Sequence, residues 1–176
     1  VVGSVNVYKR QTYYVPRNAL YEVWASKITN NDTKPRKLSV TGYCEFVNDN
    51  NYEQDQVNLQ YTLFITRTYF KKNFILQKQN EIFKNPNNER FLGVAKAEVS
   101  AYCGDRDSFV GAYRGYANPK GIEEGLKGDL NYNTNSCGAL QSDIVLQPGE
   151  TKEIIYVLGQ RPEAVAAEII AKYEKD

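Results

Sequence analysis

Lys37-Leu-Ser-Val-Thr-Gly-Tyr-Cys-Glu-Phe-Val47 alternates with period two: Leu38, Val40, Cys44 and Phe46 fall on one side, and Lys37, Ser39, Thr41, Tyr43 and Glu45 on the other. Successive side chains of an extended chain point to opposite faces, so this stretch reads as a half-buried strand. Just upstream, Tyr21-Glu-Val-Trp-Ala-Ser-Lys-Ile-Thr29 reads as its partner. Between them Asn30-Asn-Asp-Thr-Lys-Pro35 is dense in turn formers, and the pair is expected to be a hairpin. Alternation returns over 91–103, with Phe91, Ala95, Ala97, Val99, Ala101 and Cys103 on one face. Two more strands, 139–146 and 151–158, flank Gln147-Pro-Gly-Glu150, where Pro presets the first turn dihedral and Gly accepts a positive φ. Shorter strands fit 5–15, 61–70 and 73–79. The expectation is an all-β fold, a two-sheet antiparallel sandwich.

The pattern changes at the end. From Pro162 to Tyr173 the spacing is helical: Val165, Ile169 and Tyr173 are four apart, with Ala166 and Ile170 beside them. Pro162 suits the first turn. The expected division is a β-sandwich over 1–159 and, over 160–176, a helix leading toward a further, mostly helical part. Residues 47–60 and 104–138 read as long irregular connections, which in compact domains tend to carry function or lack order.

Composition excludes several roles. Lys and Arg total 22 against 21 Asp and Glu, for a net charge of +1, so nothing favours nucleic acid or an anionic membrane. No run nears the roughly 18 apolar residues of a membrane span. There is no His, which removes the commonest general base and metal ligand. Cys44, Cys103 and Cys137 form no CxxC pair, so they read as buried free thiols of a cytoplasmic protein, with no metal and no cofactor expected. No phosphate-binding GxxxxGK[ST] loop occurs. The chain holds no Met and opens on Val1, which fits a piece of a longer protein.

Two groups of residues could touch a sugar. Asn51, Asp55, Asn58, Gln60 and Tyr61 offer amides, a carboxylate and a ring to hydroxyls and sugar faces; the plain alternative is a solvated loop. Asp105 and Asp107 flank Arg106 and could form the acid/base pair of a glycosidase. The simpler reading is a structural ion-pair cluster, with Arg106 tying the long loop to the sandwich. Most of the 14 Tyr lie on expected strands and read as packing residues.

Several stretches carry a family resemblance. Glu22-Val-Trp-Ala25 through Ser39, and Tyr43-Cys-Glu-Phe46, are similar to the front domain of cellobiose and cellodextrin phosphorylases (glycoside hydrolase family 94). So are Asp105-Arg-Asp-Ser-Phe-Val-Gly-Ala-Tyr-Arg114, Asn118-Pro119, Glu124-Gly125, Cys137-Gly-Ala-Leu-Gln141, and Leu146-Gln-Pro-Gly-Glu150 up to Leu158-Gly159. Asn48-Asp-Asn-Asn-Tyr-Glu-Gln-Asp55 leans toward the cellodextrin type.

The resemblance implies a galactose-mutarotase-like super-sandwich ahead of a helical linker, an (α/α)6 barrel and a small β domain. It implies an inverting enzyme that cleaves a β-glucosidic bond with phosphate and releases α-glucose 1-phosphate. The general-acid Asp and the phosphate site, which includes a His, belong to the barrel, so no catalytic residue is expected in this chain. Such enzymes are homodimers in which a front-domain loop reaches the partner's acceptor site. The segment Asn58-Leu59-Gln60-Tyr61 resembles that loop, which makes Gln60 and Tyr61 the candidate substrate-binding residues. Cellobiose-specific members often carry Arg where this chain has Tyr61, which leaves the acceptor preference open. Two other readings compete: a free-standing carbohydrate-binding sandwich, and a small hydrolase using Asp105 and Asp107.

Overall fold

The computed structural model describes residues 6–46, 66–79 and 89–175. Among these residues nine strands run in the order β1 (Val7–Tyr14), β2 (Tyr21–Asn30), β3 (Arg36–Glu45), β4 (Thr66–Lys71), β5 (Phe74–Gln79), β6 (Arg90–Ala95), β7 (Ala101–Asp105), β8 (Ser136–Leu146) and β9 (Thr151–Gln160). Two short helices, α1 (Arg106–Val110) and α2 (Lys120–Glu124), lie between β7 and β8, and α3 (Glu163–Lys175) closes the chain. The strands form two antiparallel sheets, β1-β2-β9-β6-β5-β4 and β3-β8-β7. The expected two-sheet sandwich with a C-terminal helix is the observed fold.

The pairing differs from expectation at one place. β2 and β3 do not form a hairpin: β2 pairs with β1 and β9, whereas β3 pairs with β8 in the other sheet. The Asn30–Pro35 connection is an arch from one sheet to the other, and 147–150 is a second arch beside it. Asn30 is fully buried at this corner. Its Nδ2 donates to Lys34 O at 2.9 Å and Leu146 O at 3.0 Å, and its Oδ1 accepts from Asp32 N at 3.0 Å. Gly149 N donates to Asn30 O at 2.8 Å, which locks the arches together. The second arch is a turn closed by Glu150 N donating to Gln147 O at 3.0 Å, with Gly149 at φ 76° as its position demands. Alternation could not tell an arch from a hairpin, because strands in facing sheets present the same inward stripe.

The stretch 91–103 also divides. β6 belongs to the larger sheet and β7 to the smaller, and Lys96 breaks the strand at φ 61°. Lys96 is held there by its own N–H to Glu174 Oε2 at 3.1 Å and by Nζ to Glu153 Oε2 at 2.8 Å. All of β6 is buried, because both faces are covered. Leu92 and Val94 enter the inter-sheet core with Ile28, Phe46, Ile75, Leu140, Leu146 and Ile154. Phe91 and Ala95 face the opposite way, into a second core beneath α3.

That second core gives the terminal helix a surface within the sandwich itself. Ala166, Ile170 and Tyr173 are its buried residues, one position round from the expected Val165–Ile169–Tyr173 line; Val165 is exposed. Ile170 sits over Gly93, where a Cβ would lie only 2.2 Å from its Cδ1. The helix start is fixed by Glu163 N donating to Glu89 Oε2 at 2.8 Å and by Lys78 Nζ on Glu163 Oε2 at 2.7 Å.

Candidate functional site

The residues singled out for chemistry gather where β3, β7 and the 106–134 segment meet. The end of β3 carries Tyr43 and Glu45, and β7 runs directly into α1. Asp105 caps that helix: its Oδ1 accepts from Ser108 N at 2.8 Å and its Oδ2 from the Thr134 hydroxyl at 2.6 Å. Fixing the first turn this way turns Arg106 toward β3, where Nε donates to Glu45 Oε1 at 2.8 Å. The same guanidinium reaches Tyr116 Oη at 3.1 Å. Tyr116 Oη and Tyr43 Oη both donate to Glu45 Oε1, at 2.6 and 2.8 Å. Tyr43 in turn stacks on Phe109 of α1, with ring centroids 4.3 Å apart and planes 14° apart. Phe109, Val110, Cys103, Cys137 and Ala139 close a third small core below.

The electrostatics follow from those contacts. Partial burial pushes the Glu45 carboxyl up, but the hydrogen bonds from Tyr116, Tyr43 and Arg106 outweigh it and hold the pKa below the usual carboxylate range. Tyr43 is driven well above the ordinary phenol value, first by burial and then by its bond to Glu45. The arrangement keeps an ionised carboxylate beside a permanent cation.

Asp105 and Asp107 do not converge. Asp105 is used as a cap, and Asp107 is a solvent-facing partner of Arg106 at 3.4 Å. The expected ion-pair cluster is therefore present with a different principal partner: Arg106 is tied mainly to Glu45, 61 positions away in sequence, and only weakly to Asp107. Arg106 does anchor the long segment to the sandwich. That segment is also less irregular than expected, since α1 and α2 are folded within it and Arg114 is paired with Glu123 and Glu124.

Glu45, Tyr43 and Tyr116 were not legible as a unit. The sequence shows Tyr43 and Glu45 only as outward residues of a strand, although both lie in the Tyr43-Cys-Glu-Phe46 stretch that carries the resemblance. Gln60 and Tyr61, with Asn51, Asp55 and Asn58, lie outside the described residues.

A cavity of about 50 Å³ lies beside Cys103, Phe109, Gly121 and Leu126, far below the ~300 Å³ at which ligand pockets begin. Cys44, Cys103 and Cys137 are buried free thiols, as expected. Among the described residues no group of three metal-ligating side chains occurs, and no helix is long and apolar enough to cross a membrane.

A family model for the glycosyl hydrolase 94 supersandwich domain matches residues 4–176. The chain belongs to this family. The supersandwich chain is 32% identical over 154 residues to an N,N'-diacetylchitobiose phosphorylase of Vibrio furnissii, covering 85% of itself and 18% of that protein. It is 27% identical over 167 residues to a cellobionic acid phosphorylase of Neurospora crassa, covering 90% of itself and 20% of that protein. The supersandwich thus spans about a fifth of the length of the curated relatives it matches. A solved polysaccharide lyase shares the fold at TM-score 0.51 and 13% identity, over 89% of this chain and 20% of that one.

Proposed function

We propose that this supersandwich is the accessory front domain of an inverting glycoside phosphorylase, one that cleaves β-glucosidic oligosaccharides of the cellobiose or cellodextrin type with phosphate to give α-glucose 1-phosphate. The observation that carries the reading is the alignment of nearly the whole chain with a fifth of proteins named as phosphorylases. The use of Glu45, Asp105 and Arg106 in a structural anchor supports it, because these two carboxylates are engaged in holding the 106–134 segment in place. The catalytic step then belongs to a separate (α/α)6 barrel domain, with residues 160–176 as the start of the connection to it. The three free thiols suit a reducing, cytoplasmic setting.

In this reading the enzyme is a homodimer, and Gln60 and Tyr61 contact the acceptor sugar in the partner subunit. The test is Gln60→Ala combined with Tyr61→Ala in the whole enzyme. The expected result is a raised acceptor KM in the synthetic direction, with the defect assigned to the opposite active site in mixed dimers that carry one barrel-inactive subunit. Wild-type acceptor kinetics in the double variant would remove both residues from the acceptor site.

A further inference from the structure

Among the described residues β1 is an edge of the larger sheet, and seven of its eight residues are exposed. It pairs with β2 through eight consecutive positions with no bulge, and it contains no Pro. The usual devices that blunt an edge strand are therefore reduced to two cations, Lys9 and Arg10. Tyr8, Tyr13 and Tyr14 project from it, 58%, 62% and 42% exposed, and Val15 follows at 64%. The register against β2 sorts its side chains. Tyr13 lies opposite Trp24, which packs on the inter-sheet core, so Val7, Lys9, Gln11 and Tyr13 share that face. Tyr14 lies opposite Val23, which faces α3, so Tyr8, Arg10, Thr12 and Tyr14 share the other.

We propose that this edge pairs with β1 of a second copy of the chain, antiparallel about a two-fold axis at Gln11, so that the two larger sheets become one continuous sheet. A two-fold axis perpendicular to a sheet keeps each face on its own side. Directly opposed residues must therefore come from the same face, and their numbers must differ by an even amount. Two such registers pair seven strand residues of each copy. One centres on Arg10 and sets two guanidinium groups directly against each other, which is unfavourable. The other centres on Gln11. There Gln11 meets Gln11, Arg10 meets Thr12, Lys9 meets the ring of Tyr13, Tyr8 meets Tyr14, and Val7 meets Val15. Every cation then faces a neutral partner, Lys9 gains a cation–π contact, and two aromatic cross-strand pairs form on the outer face. The pattern of β1 is complementary to itself in this register alone of the two. One strand pair is a small interface, so the association is of the weak, reversible class.

The inference deepens the dimer part of the function proposed above, and cysteine cross-linking at chosen positions tests it. Directly opposed Cα atoms of an antiparallel pair lie about 4.5–5.5 Å apart, within disulfide reach. Gln11→Cys is expected to give a disulfide-linked dimer under mild oxidation by glutathione disulfide. Lys9→Cys alone is not, because its copies stand four residues, about 13 Å, apart along the strands. Mixing Lys9→Cys with Tyr13→Cys restores the link. All three positions are partly or fully exposed, and the native thiols are buried, so unchanged circular dichroism confirms each variant as folded. Cross-linking of Gln11→Cys no greater than that of Lys9→Cys overturns the proposal. If sedimentation of the intact protein still shows a dimer in that case, the dimer is retained and only the β1 interface is lost; an intact protein that is monomeric at all concentrations removes both.

Discussion

Removing the Arg106 side chain probes the cluster that holds the 106–134 segment to β3. In Arg106→Ala, Glu45 loses a charged donor at 2.8 Å and Tyr116 loses a partner at 3.1 Å. A hydrogen bond to a charged group contributes about 1.5–3 kcal/mol when desolvated, and an exposed ion pair about 0–1 kcal/mol. The two side chains are 32% and 38% exposed, between those limits, so the expected cost is about 1–2 kcal/mol. For a domain of this size each kcal/mol lowers Tm by about 2–4 °C, which gives a drop of about 2–8 °C by circular dichroism. The loss also depends on pH. Glu45 titrates below its ordinary value of 4.5 in the folded chain, so its contribution is complete above that value and is lost as pH falls through the lower folded one. The gap between wild type and variant is therefore expected to be widest near neutrality and to narrow below about pH 4.5. An unchanged Tm at pH 7, or a gap that widens on acidification, would refute the anchoring role.

Two further outcomes follow from packing. Gly93→Ala places a methyl group within 2.2 Å of Ile170 and is expected to cost about 1–3 kcal/mol, with partial recovery in Gly93→Ala/Ile170→Val; a loss of less than 0.5 kcal/mol in chemical denaturation would show that α3 is not seated on β6 as described. Cys44, Cys103 and Cys137 are 9%, 2% and 0% exposed, so Ellman's reagent is expected to titrate none of them in the native chain and all of them after unfolding; rapid native reaction would contradict their burial.

The stretch Lys37–Phe46 was legible as a strand because it buries one face and exposes the other. What alternation could not show was the hydrogen-bonding neighbour, since Leu38 and Val40 point inward whether β3 pairs with β2 or faces it across the core. The arch became visible only through Asn30, a buried amide whose carbonyl partners lie on both sides of the corner. β6 lost its alternation because α3 covers its second face, a contact between residues more than 70 positions apart. At the candidate site the sequence pointed to Arg106 and its structural role. Its neighbours Asp105 and Asp107 were adjacent on the page, while its main partner Glu45 was brought to it only by the meeting of β3 and β7 with α1.

This supersandwich is proposed to serve a phosphorylase whose chemistry lies elsewhere in the protein. Incubating the purified 176-residue chain, and separately the intact protein, with cellobiose or a cellodextrin and phosphate, and measuring glucose 1-phosphate, tests that assignment. Release by the intact protein and none by the chain alone is expected. Release by the chain alone, abolished in Asp105→Ala, would contradict it.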